Sequence, residues 1–100
     1  MPKYDVKFRN QAKDDMKNHV RFLANVSIPA SRRLQKEFYA ITVELSQTPL
    51  RHHIFYKNFR KAVVAVRYIV MYEVVGQKVF VDKILDARSE EYNSVILDLG

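Results

Sequence analysis

The sequence predicts an α+β fold: an N-terminal strand, a helical hairpin, then a three-strand antiparallel meander, with both helices on one face of the sheet. Three observations predict it. From Phe59 to Arg88 the chain reads FRKAVVAVRYIVMYEVVGQKVFVDKILDAR. Val, Ile, Tyr and Phe dominate this stretch, and such side chains fit a pleated, half-buried surface. Two segments before it carry apolar residues at helical spacing, and Tyr4-Asp5-Val6-Lys7-Phe8 alternates apolar with polar, as a strand with one buried face does.

The first helix is expected at about Gln11 to Asn25. Asn10 suits an N-cap, because its side chain can accept from a free amide of the first turn. Asp14 and Asp15 follow where the helix dipole favours negative charge. Ala12, Met16, Val20 and Leu23 make the apolar stripe, with His19 on the same flank. Ser27-Ile28-Pro29 restarts the chain, since proline fits the first turn of a helix. Ala30, Leu34, Phe38, Ile41 and Leu45 then line one face of a second helix, ending near Ser46 because Pro49 pushes Thr48 towards extended geometry.

The meander divides into strands at Arg60–Val64, Tyr68–Val75 and Val79–Asp86. Val75-Gly76-Gln77-Lys78 supplies a two-residue turn of type II′, with glycine accepting positive φ at its first central position. Ala65-Val66-Arg67 contains no turn-forming residue. Ahead of the meander, LRHHIFYKN is a basic and aromatic connection with room for a short extended piece at Ile54–Tyr56. After it, Ser89 can cap a short helix carrying Glu90 and Glu91, which Val95, Ile96, Leu97 and Leu99 would pack on the sheet.

Residues 1–100 fit a single domain, long enough to bury a core without disulfides. There is no cysteine, hence no thiolate metal site, and the start MPKYDVKFRNQAK lacks the apolar core of a signal peptide. Both point to a reducing cytoplasm. The longest apolar run is interrupted by Arg67 and is too short for a bilayer, so no membrane association is expected. The formal net charge is +6 with a pI near 9.7. Between Arg51 and Tyr72 there is no carboxylate, but there are Arg51, Lys57, Arg60, Lys61 and Arg67. A patch of this kind suits nucleic acid or an acidic protein. It also suits a solvated sheet edge, where cations oppose edge-to-edge pairing.

The segments YDVKF, the helical pair, FRKAVV, RYIVMYEV and KVFVDKILDARSEEY, in this order and spacing, resemble the RelE/ParE superfamily of type II toxin–antitoxin systems. These are small basic toxins, or plasmid stabilisation proteins, with two helices packed on a twisted antiparallel sheet. The resemblance covers nearly the whole chain. It implies a toxin neutralised by a cognate acidic antitoxin, with no cofactor. RelE-like members are ribosome-dependent ribonucleases that cut mRNA, whereas ParE-like members poison DNA gyrase. Arg60 falls where the RelE branch has its first sheet lysine, Arg88 matches an arginine of that branch, and Tyr92 stands near its C-terminal tyrosine. Ala62 and Ile69 occupy positions where a second lysine and a second arginine are expected. That moves the chain towards the ParE branch and leaves open whether it is an enzyme.

RNA cleavage without metal makes the 2′-hydroxyl attack the adjacent phosphate, which needs a base, an acid and fixed cations for the developing charge. A ribonuclease built on this chain would use Arg60 and Arg88 as the phosphate clamp, His53 or its neighbour His52 as the group titrating near neutrality, and Tyr92 as proton donor. Each also has a plainer role: solvent-facing histidines, and Arg88 paired with Asp86, Glu90 or Glu91. Tyr68 and Tyr72 share a strand face and are expected in the core.

Overall fold

The structure, a computed structural model, describes residues 3–97, with side chains through Ser94. Its elements are β1 (Asp5–Phe8), α1 (Asn10–Ala24), α2 (Ile28–Gln47), a 3-10 turn (Pro49–Arg51), β2 (Ile54–Tyr56), β3 (Phe59–Val64), β4 (Tyr68–Val75), β5 (Lys78–Asp86) and α3 (Glu90–Leu97). One five-stranded sheet runs in the order β1-β5-β4-β3-β2. The α+β architecture therefore holds, with the meander β3–β5 at its centre and two further strands at its edges. β2 pairs antiparallel with β3, and β1 lies parallel to β5, so the sheet is mixed rather than antiparallel throughout. An alternating pattern sets which face of β1 is buried but carries no information on its partner or direction.

Both long helices pack on one sheet face. Leu34, Phe38, Ile41 and Leu45 of α2 are buried with Ala12 of α1 against Ala62, Val64, Tyr68, Val70, Tyr72, Val79, Val81 and Ile84. Met16, Val20 and Leu23 of α1 pack on the same cluster. Ser31, buried within the helix pair, donates from its hydroxyl to the Val20 carbonyl at 2.9 Å and so fixes the two helices against each other. Ile69, Met71 and Leu85 alternate with the core residues and are buried on the opposite face. There α3 packs on β5, and Lys83 meets Glu91 at 3.4 Å. Val95, Ile96, Leu97 and Leu99, expected to hold this last helix, lie outside the described side chains.

Two local expectations are corrected, and the expected hairpin that lacks a turn residue is present. Asn10 is not the N-cap; Arg9 is, and it makes no side-chain cap. The Arg9 amide donates to the Val81 carbonyl at 2.9 Å, so the ladder of β1 runs directly into the helix and leaves no separate capping residue. Asp14 and Asp15 lie beyond the first turn. Asp15 instead accepts from the Ile84 amide at 2.9 Å, while His19, one turn later, bonds the Ile84 carbonyl at 2.7 Å. β1 covers the edge of β5 only as far as Val81, and these two helix side chains satisfy the edge beyond it. The Val64–Tyr68 hairpin turns through Ala65 and Val66, both at positive φ (53° and 67°), with the Arg67 amide donating to Val64. That conformation normally takes Asn-Gly, which is why no turn signal stands in the sequence.

Other expectations hold. Ser89 caps α3 through the Tyr92 amide, and α2 starts at Ile28 with Pro29 in its first turn, where Ser27 also proves to cap it through the Ala30 amide. Gly76 alone in its turn has positive φ, at 60°. Phe38 is 3 % exposed and meets the Tyr68 ring edge-on at 6.0 Å. Phe38→Ala should therefore cost about 3–5 kcal/mol in urea denaturation. A loss below about 1 kcal/mol would place the packing face of α2 elsewhere.

Candidate functional site

The candidate residues fall on opposite ends of the sheet. Arg60 pairs across from Tyr72, whereas Tyr68, four residues earlier on β4, pairs across from Asp86, two residues before Arg88. At about 3.3 Å per residue this separates the two rows by about 13 Å. The strand register thus does not bring Arg60 and Arg88 together.

Arg60 lies in the same alternation as Ala62 and Val64, towards the helices. Its guanidinium donates to the carbonyls of His52 (2.6 Å) and Leu50 (3.4 Å). The phenol of Tyr72, fully buried, donates to the Pro49 carbonyl at 2.5 Å. Two donors rising from the sheet therefore hold the link between α2 and β2. Glu44, near the end of α2, completes this corner: its carboxylate meets Arg51 at 3.2 Å and His52 Nε2 at 3.3 Å. The His52 Nε2 atom is buried beside this carboxylate but makes no hydrogen bond among the described residues. His53 is exposed, and only its carbonyl is engaged, by the Lys61 amide at 3.4 Å. Sequence reasoning missed Glu44 and the Tyr72–Pro49 bond. A lone acid seven residues before Arg51 was the available signal for the first; nothing local signals the second.

At the other end, Arg88 is largely exposed and pairs with Asp86 at 3.5 Å. Burial pushes the Asp86 carboxyl up, but the Arg88 amide and guanidinium, with the charge of Arg67, outweigh it and hold the group below the usual carboxylate range. Tyr92 is half-buried at the start of α3. Ala62 and Ile69 are buried, on opposite faces of the sheet. Among the described residues no three side chains of metal-ligating type cluster, and no helix is long and apolar enough to cross a membrane.

A second feature lies between the helices. A groove lined by Phe8, Met16, Val20, Phe38 and Tyr39 runs along α1 and α2, with Lys17 and Arg21 at its rim.

Burial lifts the Tyr72 phenol to about 12; the Arg60 charge opposes this and Glu44 adds to it. In an unfolded chain tyrosine titrates near about 10. The sign follows: the folded state holds this proton more tightly, so the contribution is whole below about pH 10 and is lost as pH rises through about 12. Tyr72→Phe should flatten the fall in stability over that alkaline range, read by denaturation at stepped pH against phenolate absorbance. An unchanged slope would mean another tyrosine dominates it.

The comparisons with known proteins agree with this architecture. Residues 6–91 match the model of the family described as ParE toxin of type II toxin-antitoxin system, parDE. No curated protein matches the sequence. A solved structure described as the chromosomal ParDE TA system from P. aeruginosa superposes with a TM-score of 0.71 at 12 % identity, covering 84 % of this chain and 96 % of that one. At that identity the likeness establishes a shared fold, while the family match over most of the length establishes descent. The chain belongs to the ParE toxin family of type II toxin–antitoxin systems.

Proposed function

We propose that this chain is a cytoplasmic growth-inhibiting toxin that acts on DNA gyrase and is neutralised by a cognate acidic antitoxin. The observation that carries the gyrase reading is the separation of Arg60 from Arg88, with Arg60 engaged by two backbone carbonyls. A phosphorane needs preorganised cations converging on one site, and losing one such donor typically lowers the rate about a hundredfold or more. Buried Ala62 and Ile69 add no charge where a ribonuclease of the superfamily would carry it. Inhibition by binding makes no such demand on the sheet.

The purified chain should inhibit gyrase supercoiling and, when induced in cells, stop DNA synthesis while mRNA stays intact. Arg88→Ala should leave most of that inhibition. Pulse-labelling of DNA and protein synthesis, with mRNA end mapping, checks this. Cuts at ribosome-positioned codons that vanish in Arg88→Ala would instead establish the ribonuclease.

The groove between α1 and α2 suits the antitoxin. Its floor is apolar and its rim basic, the complement of an amphipathic helix with acidic flanks. Rim charges act mainly on encounter. Lys17→Glu with Arg21→Glu should slow association with the product of the adjacent antitoxin gene by about tenfold or more at low salt, with the difference shrinking as salt rises. Surface plasmon resonance on the full-length pair measures it; an unchanged on-rate would place the antitoxin elsewhere.

A further inference from the structure

The carboxylate-free stretch from Arg51 to Tyr72 is not used up by the corner around Tyr72. Arg51 pairs with Glu44, Arg60 holds two carbonyls, and Arg67 lies over the Tyr68 ring near Asp86. Lys57 and Lys61 are different. Among the described residues neither pairs with a carboxylate. Lys61 lies over the Phe55 ring at 5.3 Å, and Lys57 lies over the Tyr56 ring at 5.2 Å. The two rings are half-buried on the edge strand β2, their centroids 6.5 Å apart. Ile54 and His53 beside them are exposed. Lys57 stands in the two-residue loop of the β2–β3 hairpin, at the positive φ of 51° that such a loop takes, and is exposed there.

We infer that the β2–β3 hairpin is a contact site for single-stranded nucleic acid. A nucleotide satisfies both halves of each lysine–ring pair at once: the phosphate takes the ammonium and the unpaired base takes the ring. Stacking of this kind tolerates any base, and it works alongside cations that follow the backbone. Protection of the sheet edge accounts for two lysines on it. It does not account for two part-exposed rings beneath them. An acidic peptide would also meet the lysines, but it has no planar group for the rings. The inference is independent of the gyrase and antitoxin readings, because binding is measured on the toxin alone.

The test is fluorescence anisotropy of the full chain with a short labelled oligo-dT, across about 50–200 mM salt. Lys57→Gln with Lys61→Gln should weaken binding by about tenfold or more and reduce the salt slope by about 1.4, the share of two phosphate contacts on a single strand. Arg32→Gln with Lys36→Gln removes the same charge from the exposed face of α2 and should change little. Phe55→Leu should weaken binding by about fivefold to tenfold at an unchanged slope, because it removes a stacking surface and no charge. Thermal melts confirm that each variant is folded, and the charge pair alone decides the question if Phe55→Leu is not. Equal losses in the two double variants would reduce the site to diffuse charge and overturn the inference. So would absence of oligo-dT binding, or tighter binding of poly-glutamate displaced by the same lysine changes. Gyrase inhibition assayed on the same preparations reports separately on the toxin reading.

Discussion

The whole architecture answers one constraint: β4 is apolar on both faces. Five successive residues, Tyr68 to Tyr72, are buried, and a strand in that state needs cover above and below as well as a neighbour on each side. β3 and β5 supply the sides. The helical hairpin covers Tyr68, Val70 and Tyr72, and α3 packs on β5 on the face that holds Ile69, Met71 and Leu85. Alternation alone would have given a sheet with one wet face. The unbroken run in β4 thus marks it as the centre of the sheet, flanked by β3 and β5.

The polar groups follow from the same burial. A phenol carried into the core with Tyr72 needs an acceptor, and it finds the Pro49 carbonyl at the turn after α2. Arg60, next to it across the ladder, takes the following carbonyls. The backbone of Ile84, left without a strand where β1 ends, finds Asp15 and His19. In each case a side chain on one layer completes the backbone hydrogen bonding of another. An unpaired buried group would cost about 1–3 kcal/mol. The cations at the β2–β3 edge have no such duty, and that is what sets them apart from Arg60.

Most of the fold was legible because its signals are local. Helical spacing marked Leu34, Phe38, Ile41 and Leu45, β-branched runs marked β3 to β5, and Gly76 marked its turn. Ser89 was legible as a cap for the same reason. What was not legible depends on partners distant in sequence. The parallel seat of β1, the use of Asp15 and His19 on Ile84, and the carbonyl contacts of Arg60 and Tyr72 all depend on residues far along the chain. The Ala65-Val66 turn was hidden for another reason: packing and pairing of the flanking strands impose a backbone state that those residues do not favour. Val66, 95 % exposed, makes no packing contact that would have marked it. Of the site, residue identities were legible and convergence was not, because register alone decides whether two arginines meet.

The parallel seat of β1 also bears on how the chain is made. Its partner residues, Lys78 to Val81, are synthesised long after it. At about 5–20 residues per second, the first strand waits several seconds for its neighbour. Helical turns form in about a microsecond or less, but the apolar faces of α1 and α2 have no sheet to cover until β3 to β5 are made. Until then the first strand has no sheet to join. A polypeptide released before Lys78 has no β5: β1 is left without its neighbour and β4 with one open edge. Completion of the sheet is thus tied to synthesis of β5, and the fold closes by joining β1 to a strand made much later.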